Sequence, residues 1–122
     1  MDREPARSFE DLVVWQKAHA FVLDVYRLTK GFPREETYGL TAQIRRSAVS
    51  IPANIAEGFR KRGRPDKARL MNVAEGSLEE TRYYLRLAND LGYKTDPTMA
   101  AKAAEVGKLL SAYSRTLLTP SS

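Results

Sequence analysis

Apolar residues recur every three or four positions through most of this chain, in four stretches that short breaks separate. That spacing places the apolar side chains on one stripe of an α-helix, which completes a turn in about 3.6 residues. No stretch shows the two-residue alternation of a strand. Four helices with short connections predict an all-α fold, an antiparallel up-down-up-down four-helix bundle.

Capping signals set the expected ends of the first two helices. Ser8 followed by Asp11 is close to a capping box, so the first helix should start there and run to about residue 30, where Gly31 closes it. A turn then leads to a second helix, which should extend from about residue 38 to residue 58 or 59. Pro52 lies inside this second helix and should bend it or free a carbonyl there.

A loop at residues 60–65 should precede a third helix, from about residue 66 to residue 91. Asp96 followed by Pro97 supplies a capping residue and a proline at the first helical position, which predicts the start of a fourth helix. We therefore expect one bundle domain at residues 8–118. It should be flanked by a flexible N-terminus at residues 1–7 and a flexible tail at residues 119–122.

The third helix carries more apolar surface than one packing seam requires. Its residues fall on two stripes, one with Leu70, Ala74, Leu78, Thr81, Leu85 and Ala88, the other with Val73, Tyr84, Leu87 and Leu91. A helix with so wide an apolar arc is either central to its own bundle or shared with another subunit. Periodicity alone leaves both explanations open.

Polar residues stand inside the second helix, beside its apolar stripe, and such groups need partners when they are buried. They are Gln43, Arg45, Arg46, Asn54 and Glu57. One interpretation is a solvated basic edge. The other is a structural polar network between helices, in which Arg45 or Arg46 meets Glu57 or an acid of a later helix.

Positive charge is concentrated in one short segment, residues 60–69, which we call the basic segment. Its cations are Arg60, Lys61, Arg62, Arg64, Lys67 and Arg69. With the single acid Asp66 they sum to +5, which equals the formal charge of the whole chain. Such a cluster predicts contacts to nucleic-acid phosphates, and the alternative is a solvated turn that favours solubility. Tyr38, Phe59 and Tyr93 would add base stacking if they lie nearby, or else pack at helix ends.

Enzymatic, metal and membrane functions find little support in the residues. The chain has no cysteine and a single histidine, His19, beside an apolar stripe, so we expect no metal site, no cofactor and no catalytic residues. Residues 58–63 have the glycine spacing of a P-loop but lack the lysine and hydroxyl residue that should follow. No apolar run is long enough to span a membrane, and we expect no secretory signal. A cytoplasmic protein is the simplest interpretation.

The order and spacing of several motifs resemble a known bacterial family. Residues 38–41, 43–48 and 50–58 carry most of the resemblance, and residues 12–18, 76–80 and 91–93 agree with it. The family is that of the proteins encoded in intervening sequences of 23S rRNA genes, also called the S23 family. Ser47 stands where the family commonly has alanine, and the basic segment is richer in arginine than expected.

The resemblance implies a four-helix bundle that assembles as a homo-oligomeric ring, with a pentamer expected. It also implies that Gln43, Arg45, Arg46, Asn54 and Glu57 serve mainly structure. Distant relatives include the accessory variability determinant proteins of diversity-generating retroelements, which pair with a reverse transcriptase and RNA. Two hypotheses follow: a non-enzymatic oligomer that binds nucleic acid, with RNA expected, through the basic segment, or a scaffold that docks a protein partner such as a reverse transcriptase.

Overall fold

The computed structural model describes residues 5–118, and these residues form four long helices and no strands. The helices are α1 (Val13–Thr29), α2 (Leu40–Arg60), α3 (Arg64–Asp90) and α4 (Met99–Leu118). Short 3₁₀ turns precede α1 and α2, at Phe9–Asp11 and Arg34–Glu36. The all-α prediction with four helices is confirmed. The expected tail at residues 119–122, and residues 1–4 of the expected flexible N-terminus, lie outside the described part of the chain.

The start of α1 lies later than the capping signal suggested. Asp11 does accept hydrogen bonds from the backbone N–H groups of Arg7 at 2.9 Å and Ser8 at 3.2 Å. These bonds cap a separate 3₁₀ turn, because Leu12 is extended (φ −78°, ψ 126°) and interrupts the helix. The capping signal therefore marks the turn that leads into α1.

The starts of α3 and α4 also lie about two residues from their predicted positions. Helix α3 begins at Arg64 because Pro65 occupies its first turn, where a missing N–H costs nothing. Helix α4 begins at Met99 because the Asp96 carboxylate accepts from both the N–H and the hydroxyl of Thr98, at 2.9 and 2.7 Å. That local turn holds residues 96–98 outside the helix.

Each helix packs against two others, in the pairs α1–α2, α2–α3, α3–α4 and α1–α4. The predicted stripe of α2 is buried throughout, at Leu40, Ile44, Ala48, Ile51 and Ile55. Helix α2 continues through the buried Pro52 without interruption. The core therefore runs along the inner faces of all four helices.

The two apolar stripes of α3 have different environments. The stripe from Leu70 to Ala88 faces the core, with only Leu85 half-buried. On the second stripe Val73 and Leu91 are 41% and 51% exposed, and Tyr84 and Leu87 are half-buried. The bundle of a single chain therefore uses the first stripe and leaves much of the second on its surface.

Candidate nucleic-acid interface

The basic segment forms a tight turn at one end of the bundle. Three residues, 61–63, join the end of α2 at Arg60 to the start of α3 at Arg64. Lys61 and Gly63 are both extended, with φ/ψ of −64°/147° and −93°/145°. With extended backbone at these two positions, three residues are enough to connect α2 to α3, so the cations lie together at this end of the bundle.

Gly58 allows α2 and α3 to approach closely enough for this short connection. A Cβ atom at Gly58 would lie 2.5 Å from Cε of Met71 and 3.3 Å from Cβ of Leu70. Met71 is fully buried, so its methyl group has little free space to move into. The absence of a side chain at Gly58 therefore helps to set the position of the basic segment.

The structure brings all six predicted cations to this end of the bundle. Arg60, Arg62, Arg64 and Arg69 are exposed, and Lys61 and Lys67 are half-buried. The other described charges are distributed over the rest of the bundle, where several form ion pairs. The end that carries residues 60–69 is therefore the positive end of the molecule.

Lys67 has a structural role within this segment. Its Nζ donates to the carbonyl oxygens of Phe59 at 2.7 Å and Gly58 at 3.3 Å, and it lies 5.4 Å from the centroid of the Phe59 ring. The last carbonyls of a helix have no intrahelical donor, and a cation there also meets the negative end of the helix dipole. Lys67 thus caps α2 from α3, which leaves the other five cations as the better candidates for phosphate contacts.

Arg69 contacts the only acid of the segment. Its Nε lies 3.8 Å from Oδ1 of Asp66, and both side chains are more than half exposed. Exposed pairs of this kind contribute at most about 1 kcal/mol and are screened by salt. A phosphate can therefore replace Asp66 as the partner of Arg69 at little cost.

Only one of the three candidate stacking residues lies at the basic segment. Phe59 is half-buried beneath Lys67. Tyr38, which is 96% exposed, precedes the opposite end of α2, about 30 Å away along a helix of this length. Tyr93 donates its hydroxyl to Oε2 of Glu36 at 2.6 Å, also beside the start of α2. The structure therefore separates both tyrosines from the basic segment.

Glu36 joins two connections of the bundle at that opposite end. Its Oε2 accepts from Tyr93 in the α3–α4 connection, and its Oε1 accepts from the N–H of Leu40 at 3.0 Å, in the first turn of α2. The Tyr93 hydroxyl, and then the Leu40 N–H, hold the pKa of Glu36 below its usual value. The same hydrogen bond raises the pKa of Tyr93. Tyr93 therefore packs at this end of the bundle and holds Glu36, which caps α2.

The polar side chains of α2 have other partners than the acids that one interpretation of the sequence gave them. Arg45 is the half-buried arginine: its Nε donates to Oγ1 of Thr29 at 2.8 Å, and its guanidinium lies 4.5 Å from the Tyr26 ring centroid. These partners belong to α1, which precedes α2, and are not acids. Arg46 and Glu57 are exposed, and in residues 5–118 neither Arg45 nor Arg46 forms an ion pair. The ion pair that one interpretation placed between an arginine and Glu57 or a later acid is therefore not present in the described residues, and the structural role of the whole set stays a prediction.

The remaining two members of that predicted set also differ from each other. Gln43 is exposed. Asn54 is half-buried, and its Nδ2 donates to the carbonyl oxygen of Ser50 at 2.7 Å and to its Oγ at 2.9 Å. Asn54 thus belongs to a hydroxyl seam between α2 and α3 that sequence reasoning missed.

This hydroxyl seam consists of Ser47, Ser50, Asn54, Ser77 and Thr81. The Ser47 and Thr81 hydroxyls lie 2.7 Å apart, and Ser77 donates to Ser50 at 2.9 Å. Thr81 is fully buried and Ser47 nearly so. The available signal was a pair of hydroxyl residues three apart in α2 and another pair four apart in α3, each on the flank of an apolar stripe.

The described part of the chain contains neither a metal-binding cluster nor a membrane-spanning helix. Residues 5–118 contain no group of three or more His, Cys, Asp or Glu side chains that would hold a metal ion. His19 is exposed and stacks on Trp15, with ring centroids 4.9 Å apart. None of the four helices is long and apolar enough to cross a membrane.

Comparison with known proteins identifies the family. The model of the 23S rRNA-intervening sequence protein family matches residues 10–112. A protein of unknown function from the S23 ribosomal protein family of Bacteroides thetaiotaomicron is similar in structure, with a TM-score of 0.76 and 30% sequence identity. The match covers 84% of this chain and 96% of that one. Comparison with curated proteins gives no match. The chain therefore belongs to the family of 23S rRNA-intervening sequence proteins.

Proposed function

We propose that this protein is a non-enzymatic oligomer that binds RNA through the phosphate backbone, with the basic segment as the contact surface. The observation that carries the proposal is the placement of a charge equal to the whole net charge, +5, on residues 60–69, the turn between α2 and α3 and the helix ends beside it. Charge that only served solubility would be spread over the surface with both signs mixed. A single cationic end instead attracts a polyanion.

The chemistry of the segment suits phosphate groups. Arg60 and Arg62 are exposed, and a guanidinium can donate two parallel hydrogen bonds to one phosphate. The N-terminus of α3 faces the same turn, and its N-cap residue, Gly63, has no side chain to accept from the first amides. Such amides add to anion binding beside a cationic cluster. Contacts of this kind recognise the backbone, so we expect little sequence preference.

Assembly is the second part of the proposal: an antiparallel bundle that forms a ring of identical subunits. Two pairs of contacts support the antiparallel order, since Ser47 meets Thr81 while Ser50, further along α2, meets Ser77, which comes earlier in α3. Exposed apolar side chains support the ring. Those more than a third exposed include Val13, Leu23, Tyr26, Val49, Val73, Tyr83 and Leu91. They lie on outward faces of α1, α2 and α3 or, for Leu91, directly after α3, and burial between subunits would remove them from water.

A ring would multiply the effect of the basic segment, because each subunit would add its +5 end to the same face. Light scattering at micromolar concentration tests this part of the proposal. A monomer would contradict the ring, and the RNA test below applies to either state.

The alternative function is a scaffold that docks a protein such as a reverse transcriptase. The same exposed apolar side chains favour it, since they suit a foreign subunit as well as an identical one. The position of the gene distinguishes the two candidates: a copy inside an rRNA insertion favours RNA binding, and a copy beside a reverse transcriptase gene favours the scaffold.

The test is the affinity for a labelled single-stranded RNA across a salt series. The wild type is compared with a loop variant in which Arg60, Lys61 and Arg62 are changed to alanine. Each phosphate contact contributes a log–log slope of about −0.7 on single strands, so the loss of three contacts should flatten the slope by about 2. Lys67 is left unchanged because it caps α2.

A matched control separates local contacts from net charge. Lys30, Arg34 and Lys108 are exposed and lie outside the basic segment, so their triple alanine variant removes the same charge elsewhere. We expect this control to retain most of the wild-type slope. Equal slopes for the two variants would contradict a localised interface. No binding by the wild type near physiological salt would reduce the segment to a solvated turn.

A further inference from the structure

A groove lies at the end of the bundle that is opposite to the basic segment. It has a volume of about 600 Å³ and runs between the last turns of α3, the first turns of α4 and the connection that joins them. Leu28, Leu85 and Met99 line its apolar floor, and Arg82, Arg86 and Lys94 stand on its rim. This volume lies in the range of small-molecule sites, about 300–1,000 Å³.

Both helices contribute an alanine to the lining of the groove. Ala88 of α3 and Ala103 of α4 line it and are 2% and 1% exposed. These short side chains leave space above them that larger side chains at the same positions would fill. The floor is apolar and rigid, since Leu28 and Met99 belong to the core and Leu85 packs against it.

The cations of the rim are available to a ligand. Arg82 and Arg86 pair with Glu79 at 3.4 Å and Asp90 at 3.0 Å, but both pairs are exposed and thus weak. Lys94 forms no ion pair within residues 5–118, and its stem packs on Gly31, where an added Cβ would clash with Lys94 Cδ. That packing holds the ammonium group near the groove.

One acid lies among these cations. Asp96 lines the groove, and its Oδ1 already accepts two hydrogen bonds from Thr98. Three cations and one carboxylate line the groove, a formal charge of +2 before Glu79 and Asp90, the exposed partners of Arg82 and Arg86, are counted. An apolar floor with a cationic rim is complementary to a molecule that has an apolar body and one anionic group.

We propose that this groove binds a small organic anion with an apolar body, an aryl or alkyl carboxylate. The body lies on Leu85 and Met99, and the carboxylate meets Arg86 and Lys94. The groove is independent of the RNA proposal, because the length of α3 separates the two ends by about 35 Å. A carboxylate in the groove would leave the basic segment free for phosphates.

The test is a titration followed by NMR, with phenylbutyrate and phenylbutylamine as probes. The two molecules share the same apolar body and differ in the sign of their charge. We expect millimolar phenylbutyrate to shift the methyl signals of Met99 and Leu85 and the amide of Ala100, all of which line the groove. Phenylbutylamine should bind at least several-fold more weakly.

Two variants locate the interaction. Changing both Arg86 and Lys94, which are exposed, to glutamate should weaken phenylbutyrate binding by about tenfold or more. The change Ala100→Phe, at an exposed position of the lining, should block binding by filling the groove while the charges remain. Lys108→Glu, an exposed cation outside the groove, is the charge control and should have little effect.

Three results would overturn the proposal. They are equal binding of the amine, an absence of shifts at millimolar phenylbutyrate, and shifts confined to residues 60–69. The last result would assign the probe to the basic segment and would leave the RNA proposal standing. Conversely, a loop variant that loses RNA but still binds phenylbutyrate would support both proposals independently.

Discussion

Replacing Thr81 by valine tests the buried part of the hydroxyl seam. The Thr81 hydroxyl lies 2.8 Å from the carbonyl oxygen of Ser77 and 2.7 Å from the hydroxyl of Ser47. Ser47 in turn lies 3.1 Å from the carbonyl oxygen of Ile44. Each hydroxyl has one proton, so one of them donates across the interface and the other donates to its own helix. Valine keeps the shape of threonine and removes this link between α2 and α3.

The expected cost of Thr81→Val is about 1 kcal/mol of unfolding free energy, the usual net value of one hydrogen bond. Ser47 keeps its own carbonyl acceptor, so no buried donor is left without a partner. Ser47→Ala should cost a similar amount for the same reason. The double variant should cost little more than either single one, because both changes delete the same bond. The coupling energy is therefore expected to be about 1 kcal/mol.

The assay is urea unfolding of the four proteins of the cycle at one protein concentration, because self-association shifts apparent stability. Thr37→Val is the matched control: its hydroxyl bonds the Arg34 carbonyl on the exposed surface, and its effect should stay within about 0.5 kcal/mol. Costs that add within about 0.3 kcal/mol in the double variant would refute a direct bond between Ser47 and Thr81.

Three further predictions follow from single contacts. Arg45→Met should lower the free energy of unfolding by about 1–2 kcal/mol, because it removes the hydrogen bond to Thr29 and the contact with the Tyr26 ring. Arg46→Met, at an exposed position, should change it by under about 0.5 kcal/mol in urea unfolding. The reverse order would contradict the assignment of Arg45 as the structural arginine. Folding lowers the pKa of Glu36 from 4.5. The contribution of Glu36 to the free energy of unfolding is therefore fully present above pH 4.5 and is lost as the pH falls through the lowered pKa. Tyr93→Phe removes the main cause and should reduce this acid-side loss in urea unfolding below pH 4.5; an unchanged pH profile would argue against it. Lys67→Met should lower the thermal midpoint more than Arg62→Ala does, because the Lys67 side chain caps α2, and equal midpoints would refute the capping role.

Much of the fold was predictable because the apolar spacing that marks a helix is visible in residues close together in the sequence. The stripe from Leu40 to Ile55 sits at helical spacing in the sequence and is buried in the structure. The ends were less predictable, by about two residues, since Leu12 and Asp96 adopt conformations that local turns decide. Helix boundaries depend on a few hydrogen bonds, whereas the stripe depends on the sum of many burials.

The candidate interface was visible in the sequence because its cations are contiguous. Adjacent residues stay together in any fold, so residues 60–69 had to form one positive region. The positions of the aromatic candidates could not be predicted in this way, since Tyr38 and Tyr93 are distant from the segment in sequence. In the structure they lie at the other end of α2.

The sequence by itself determined the helical class, the core-facing stripes and the presence of one cationic end, because each of these depends on residues close together along the chain. Only the tertiary structure decided which polar side chains are structural. Arg45 contacts α1 while the adjacent Arg46 points to solvent, and Lys67 caps a helix to which it does not belong. The direction of a side chain around a helix changes by about 100° per residue, so the partner of each one depends on how whole helices pack against each other.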